Sequence, residues 1–255
     1  REFKKQVPAG AEAACESADP AADAEAFQAK TDRWEPPEVD QKQMVASRRT
    51  WTAFGPLVAA AAWQLGYFGA SRKAFLGDGA SNNWTLWRNH FSSFTPILDF
   101  IHALTYVFAA AMTGRDFATG WVDYTRWIQW TWQGDVARAI DEIQAKLDAM
   151  KESETNETIQ DVLRRTINYL KNNCERMKYD EYRTQGLPIN TSTVESTVKQ
   201  INYRVKGTEK FWNEKGAEEI LQLRADHLCD VEPMAEFWTR REASETGQNR
   251  YASVA

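Results

Sequence analysis

The chain has 255 residues, 43% of them hydrophobic, and this is enough for one large domain or two small ones with a real core. Its formal net charge is −5, which argues against nucleic-acid binding over the whole surface and leaves only local basic patches for such contacts. No apolar run reaches the roughly 18 residues of a membrane span, so we predict no membrane partner.

The first 40 residues are rich in alanine and acidic side chains, so residues 1–40 are predicted to be a disordered linker. They show no basic start followed by an apolar stretch, so no signal peptide is predicted. The chain does not open with methionine, and we expect it to be a piece of a longer protein. Cys15, Cys174 and Cys229 match no metal-ligand spacing and indicate cytoplasmic thiols.

The residues after the linker predict an alternation of strands and helices. Gln43–Trp51 can form a strand. Residues 50–69, which carry apolar side chains at every helical phase, are predicted to form a buried helix, with Pro56 in its first turn.

Two further strands flank a short helix. "RKAFLGD" (residues 72–78) and "FTPILDF" (residues 94–100) are predicted strands, and "NNWTLWRNHF" between them is a predicted helix. This order is typical of an α/β fold with a parallel sheet covered by helices.

The chain then changes to helical periodicity. Apolar residues at spacings of three and four predict helices without strands from about Ala103 to Arg183, with starts at Asp135 and Thr158. Residues 184–192 are a predicted loop. Two later helices are predicted, and Ser192 or Thr193 can cap the first of them.

Three carboxylates stand at the ends of predicted elements. Asp78 lies between Gly77 and Gly79, which would each cost about 1 kcal/mol inside a helix, so a turn after a strand is favoured. Asp99 ends the next strand, and Glu195 lies in the first turns of a late helix. Ligands bind at the carboxyl ends of parallel strands, and carboxylates from separate elements can hold two Mg²⁺ ions. The alternative is that Asp78 is only a turn residue.

Three segments carry a family resemblance. "FLGDGASNNWTLWRNHF", "TPILDFIHALTYV" and "TSTVESTVKQINYRVKGTEKFW" occur in this order. Together they resemble the DDE transposases of bacterial insertion sequences, closest to the Kra-type group, which is related to the Mutator-like superfamily. The resemblance covers about residues 48–241. It implies an RNase H-like core with a large all-helical insertion before the last catalytic helix.

The resemblance also implies roles for particular residues. Asp78 in "GDG" would be the second catalytic aspartate, and Glu195 in "VEST" would be the catalytic glutamate, both binding Mg²⁺ or Mn²⁺. Asp99 and His102 in "DFIH" match a motif of that superfamily and are supporting candidates. We expect the carboxylates of Asp78 and Glu195 to lie within about 8 Å of each other.

One part of the family pattern is not found. The first catalytic aspartate should end an early strand, and neither Asp32 nor Asp40 does so. We therefore expect the C-terminal portion of a transposase, with an incomplete core that lacks its first strands and with doubtful activity on its own. The expected division is linker 1–40, first part of the core 41–102, helical insertion 103–185, second part of the core 186–241 and flexible tail 242–255.

Basic residues near these acids are candidates for DNA binding. These residues either form a solvated helix face or contact DNA phosphates. The set comprises Lys199, Arg204, Lys206, Lys210, Arg72 and Lys73, with Arg48 and Arg49 as an extension. Trp127, Trp130 and Trp132 stand at helical spacing, which favours a core role over base stacking. His102 is either a packing residue or a partner of the acids.

Three functions follow from these observations. The first is a transposase that cleaves and joins DNA at mobile-element ends, acting as an oligomer on double-stranded DNA in the cytoplasm at the nucleoid. The second is a catalytically inactive remnant that binds DNA or the full-length transposase. The third is a metal-dependent hydrolase that acts on a small substrate through Asp78, Asp99 and Glu195.

Overall fold

The structure is a computed structural model that describes residues 35–151, 157–207, 209–231 and 234–244. Its described part is mostly helical and contains one two-stranded sheet, so the predicted α/β class is confirmed in this coarse form. The elements in chain order are α1 (Trp51–Gln64), β1 (Ala74–Gly77), α2 (Ser81–His90), β2 (Thr95–Leu98), α3 (Phe100–Met112), α4 (Phe117–Trp132), α5 (Val136–Lys151), α6 (Glu157–Asn173), α7 (Tyr179–Thr184), α8 (Ser192–Val205), α9 (Glu214–His227) and α10 (Ala235–Ser244).

The described residues form two compact units. The first unit contains Ser71–Thr191, and the second contains Glu38–Ala70 and the described residues from Ser192 onward. The first unit therefore holds both strands and the helices α2 to α7, whereas the second holds α1 and α8 to α10.

The sheet of the first unit is a strand–helix–strand motif. β1 and β2 are parallel, with Ala74 opposite Thr95 and Gly77 opposite Leu98. The backbone N–H groups of Thr95 and Asp99 donate to carbonyls on the β1 side, so the intervening Pro96 faces the outer edge of β2. Proline is tolerated there because that edge needs no ladder donor. The two predicted strands and the helix between them are confirmed.

The core of the first unit lies where the helices α3 to α6 pack against β2 and one another. Ile97 and Leu98 of β2 are fully buried, and so are the small side chains on one face of α3. These small side chains allow close packing against the larger buried residues of the neighbouring helices, namely Trp127, Ile143, Leu163 and Leu170. In the described residues from 103 to 183 there is no strand, as predicted.

The tryptophans at helical spacing on α4 belong to this core. Trp127 is 1% exposed, and its indole N–H donates to Glu142 at 2.7 Å. Trp130 and Trp132 pack against the same cluster. The guanidinium of Arg183 lies 3.8 Å from the Trp132 ring centroid. The predicted core role is confirmed, because the indole faces are used in packing.

The predicted strand at Gln43–Trp51 is wrong. Residues 38–47 of the second unit have no regular secondary structure, and α1 already begins at Trp51. The backbone N–H of Lys42 donates to the Asp230 carboxylate at 2.8 Å, and that of Met44 donates to Cys229 Sγ at 3.2 Å. This segment is held by the residues that follow α9 rather than by a neighbouring strand.

The predicted buried helix is present as α1, but it is not buried. Only Gly55 and Ala62 are buried in it, and Trp63 is 71% exposed. Pro56 lies in its second turn rather than its first, so the carbonyl of Thr52 receives no N–H there. A helix that is apolar on all faces, such as α1, gives no indication of which face is covered by other elements.

Some predictions fall on other parts of the chain. Residues 1–34 of the predicted linker and 245–255 of the predicted tail lie outside the described residues. None of the helices in the described part has both the length and the apolar character that a bilayer span requires. The predicted domain boundaries stay a prediction.

Candidate carboxylate site at the strand ends

Asp78 directly follows β1, as predicted, and its side chain is exposed. Oδ1 accepts hydrogen bonds from the backbone N–H of Ala80 at 2.9 Å and from the Asn83 side-chain amide at 2.7 Å. These bonds fix the carboxylate in the turn between β1 and α2. In the described part of the chain no hydrogen bond or ion pair involves Oδ2, so this oxygen is open to a cation or a water molecule.

The main chain of the same turn is tied to the helical part of the unit. The hydroxyl of Tyr169 on α6 donates to the carbonyl of Asp78 at 2.8 Å. Burial raises the pKa of the Tyr169 phenol, and the nearby Tyr106, Asp78 and Asp99 raise it further. The hydroxyl is therefore a protonated donor at neutral pH.

Asp99 directly follows β2, also as predicted, but it is only 2% exposed. Its Oδ1 caps α3 by accepting from the backbone N–H of His102 at 2.6 Å. Its Oδ2 accepts from the backbone N–H of Thr191 at 2.5 Å and from the Thr191 hydroxyl at 2.6 Å. Both oxygens are thus engaged within the protein, which suits a supporting residue better than a metal ligand.

His102 lies in the first turn of α3 and is half-buried. Its ring centroid is 6.4 Å from that of Tyr106. The contact between His102 and Asp99 is made by the histidine backbone, so the imidazole is not needed to orient the carboxylate.

Glu195 lies in the first turn of α8 and is exposed. The prediction that it opens a late helix is confirmed. A carboxylate there is favoured by the partial positive charge of a helix N-terminus. Glu195 belongs to the second unit and Asp78 to the first, and their convergence stays a prediction.

The predicted DNA-binding residues of the second unit differ in their surroundings. Lys199, Arg204 and Lys206 are exposed on or directly after α8. Lys210 is pinned, because its ammonium donates to the Tyr203 carbonyl and lies 5.1 Å from the Tyr203 ring centroid. Arg204 also lines a cleft of about 490 Å³ formed with residues of α9 and α10.

Two aromatic side chains stand among these basic residues. The side chain of Tyr203 is 85% exposed and that of Phe211 is 88% exposed. The sequence did not indicate their exposure, because an aromatic residue in an amphipathic helix or in the loop after it is usually at least partly buried.

The predicted basic residues of the first unit have structural contacts. The Arg72 guanidinium donates to the Gln185 carbonyl at 2.6 Å and so holds the loop after α7. The Lys73 ammonium lies 5.6 Å from the Phe94 ring centroid. In the second unit, Arg48 is 3.8 Å from the Glu214 carboxylate. Arg72 is therefore exposed but has a structural role through its hydrogen bond to Gln185.

Sequence reasoning missed the residues that hold the acids in place. Asn83 carried a weak signal, since a polar residue five positions after Asp78 can fold back onto the turn. Tyr169 and Thr191 carried none, because each is about 90 residues away from the aspartate it contacts.

The donor set around Asp78 fits a single cation contact. Within the described residues, no group of three or more His, Cys, Asp or Glu side chains is arranged to hold a metal ion. One open carboxylate oxygen at Asp78 can contribute one ligand to Mg²⁺, and further ligands must come from elsewhere.

Comparisons of the chain with protein-family models, with curated proteins and with solved structures found no match in any of the three.

Proposed function

We propose that this chain is the later part of an RNase H-like catalytic domain of a DDE transposase, an enzyme that cleaves and joins DNA at mobile-element ends. The observation that carries the proposal is the position of Asp78. It is an exposed carboxylate directly after a parallel strand, with one oxygen held by the turn and the other open.

The order of elements supports the proposal. After the Asp78 turn come a helix, a parallel strand directly followed by Asp99, a run of helices and then α8 with Glu195 in its first turn. This is the order that the resemblance implies for the core, its helical insertion and the last catalytic helix. A two-stranded sheet is also smaller than a stable sheet usually is. A core that lacks its first strands, as the resemblance implies, would account for its size.

Asp78 and Glu195 are the proposed ligands of Mg²⁺ or Mn²⁺. Both carboxylates are exposed, and hard divalent cations prefer such oxygens. When bound, a pair of these ions would activate water, and then the freed 3′-hydroxyl, for attack on a phosphodiester. Asp99 would support the site by fixing the start of α3, through the hydrogen bond to the backbone N–H of His102.

The proposed substrate is double-stranded DNA, and the protein would bind it as an oligomer. The exposed Lys199, Arg204 and Lys206 would contact phosphates, which supply most of the affinity in such complexes. Tyr203 and Phe211 stand exposed among them, and their rings would stack on bases wherever the duplex opens.

Metal binding tests the proposal directly. Titration of the chain with Mn²⁺, followed by electron paramagnetic resonance, should show binding. Asp78→Asn should weaken the Mn²⁺ affinity by at least about tenfold, because it removes a direct ligand and even partners of metal ligands account for about 10- to 100-fold. Glu195→Gln should weaken the same Mn²⁺ binding. The loss of binding free energy in the double variant should be smaller than the sum of the two single losses, because residues that bind the same ions are coupled. Asp141→Asn removes an exposed carboxylate on α5 and is the matched control. Binding that is identical in all variants would contradict the proposal.

Two alternatives differ in their outcomes. A catalytically inactive remnant would still bind DNA or the full-length transposase, and it would do so without metal. A hydrolase for small substrates would bind metal through Asp78 but would show no affinity for DNA even at low salt. Mn²⁺ binding through Asp78 therefore separates the transposase from the inactive remnant, and DNA binding at low salt separates both from the hydrolase.

A further inference from the structure

The turn that carries Asp78 is packed against one aromatic ring. Gly79 has φ +93°, a backbone conformation that side chains other than glycine rarely adopt. A Cβ at Gly79 would lie 2.6 Å from Tyr169 Cε2 and 2.9 Å from the Tyr169 hydroxyl. The second glycine of Gly-Asp-Gly is therefore required both by the backbone and by the ring of Tyr169.

Tyr169 is itself held firmly from two sides. Its ring stacks on Tyr106 of α3, with centroids 3.8 Å apart and planes 8° from parallel. Its backbone carbonyl accepts from the side-chain amide of Asn173 at 2.9 Å, and the Asn173 carbonyl oxygen accepts from the indole N–H of Trp84 at 3.1 Å. Asn173 is 3% exposed and Trp84 is 5% exposed. Through these contacts α6 is joined to α2, the helix that begins just after the Asp78 turn.

These contacts leave the turn with supports on both sides. On one side Asn83 of α2 and the Ala80 N–H hold the carboxylate oxygen Oδ1. On the other side Tyr169 holds the carbonyl of Asp78 at 2.8 Å and covers Gly79. With the backbone fixed on one side and Oδ1 on the other, the free oxygen Oδ2 has little room to change direction.

We propose that Tyr169, which lies in the helical part of the first unit, is a positioning residue that fixes the Asp78 turn and so aims the open carboxylate oxygen. The helices α6 and α3 are then part of the support of the Asp78 turn. The functional meaning of this positioning rests on the proposed role of Asp78 as a metal ligand.

The test is Tyr169→Phe, which removes the hydroxyl but keeps the stack on Tyr106 and the contact with Gly79. The first measurement is amide hydrogen exchange at Ala80 by NMR, because that N–H is bonded to Asp78 Oδ1. Exchange should become roughly threefold to tenfold faster, the range expected for loss of one neutral hydrogen bond. The second measurement is Mn²⁺ affinity, which should fall by a similar factor.

The control is Tyr124→Phe. Tyr124 is a half-buried tyrosine on α4 that packs on Phe108, and no hydrogen bond of its hydroxyl is present among the described residues. It should change neither Ala80 exchange nor Mn²⁺ affinity, and the melting temperatures of both variants should stay close to that of the wild type.

The outcomes separate this inference from the proposed function. Unchanged Ala80 exchange in Tyr169→Phe would overturn the positioning role, whatever the Mn²⁺ affinity of the variant. Faster Ala80 exchange in a chain that does not bind Mn²⁺ would keep the positioning of the turn and overturn the proposed function. Faster exchange with unchanged Mn²⁺ affinity would overturn the claim that Tyr169 aims the open oxygen.

Discussion

Asp99 and Thr191 are joined by two hydrogen bonds, from the Thr191 N–H at 2.5 Å and from its hydroxyl at 2.6 Å, both to Asp99 Oδ2. The other oxygen of Asp99 caps α3. One buried carboxylate therefore fixes the start of α3 and the last residue before α8. The acid at the end of β2 is engaged in holding the fold, whereas the acid at the end of β1 has an open oxygen.

Asp99→Ala should destabilise the first unit by roughly 2–4 kcal/mol, the sum of a lost helix cap and of a buried donor left unpaired. Urea unfolding followed by far-ultraviolet circular dichroism measures this loss. Asp116→Ala is the matched control, since Asp116 caps α4 in the same way but is exposed. Its effect should be clearly smaller, and an equal effect would contradict the role assigned to burial at Asp99.

Gly79→Ala should destabilise the same unit by roughly 2–4 kcal/mol, because it adds backbone strain at φ +93° and a clash with the Tyr169 ring. Gly186→Ala provides the comparison. Gly186 also has positive φ, at +66°, but an added Cβ would meet only the far end of the Arg72 side chain, at 3.3 Å. It should cost only about 1 kcal/mol of strain. Equal losses in the two variants, measured by urea unfolding, would mean that the Tyr169 contact adds nothing.

Lys146 is a buried cation of the first unit. Its side chain is 8% exposed, and its ammonium donates to the carbonyls of Ala110 and Ala111 at the end of α3, at 2.7 and 3.1 Å. The pKa of Lys146 is lowered from its ordinary value of 10.5 to about 8, mainly because the side chain is buried; the charge of Arg115 also lowers it, and Asp123 opposes the shift.

The lowered pKa of Lys146 predicts a pH dependence of stability. Between pH 8 and 10.5 the unfolded chain binds a proton at Lys146 that the folded chain has released. Raising the pH through this window therefore increases the free energy of unfolding that this group contributes. Lys146→Met cannot titrate, so the stability of the wild type relative to this variant should rise across the window. Urea midpoints at several pH values measure the difference, and a fall would contradict the prediction.

DNA binding by the chain should be weak and should fade as salt increases, because each phosphate contact releases counterions. Fluorescence anisotropy with a labelled duplex measures it. Lys199→Ala and Lys206→Ala should each reduce the slope of log affinity against log salt by about 0.9. Lys171→Ala removes an exposed lysine of α6 and should leave the slope unchanged.

Cleavage of element-end DNA by residues 1–255 alone should not occur. Two carboxylates hold a metal pair poorly, since the mutual repulsion of the ions is less well neutralised than with a third. A nicking assay with Mg²⁺ or Mn²⁺ tests this, and Glu195→Gln should change little in it. Strong metal-dependent nicking that is lost in Asp78→Asn would show that the chain holds a complete site.

The local patterns of the sequence predicted most elements of the first unit. Glycines on both sides of Asp78 indicated a turn after a strand, and periodicity of three and four located the helices. The periodicity also indicated that Trp127 is a core residue. The exposed state of α1 could not be predicted, because an apolar helix is covered only if another element reaches it.

The sequence by itself determined where Asp78, Asp99 and Glu195 stand in their elements, because turn and capping preferences are local. Only the tertiary structure decided what two of these acids contact. Oδ2 of Asp99 accepts two hydrogen bonds from Thr191, and the Asp78 turn is held by Tyr169, each about 90 residues away. Such contacts depend on how helices pack across the sheet, and spacing along the chain carries no information about that packing.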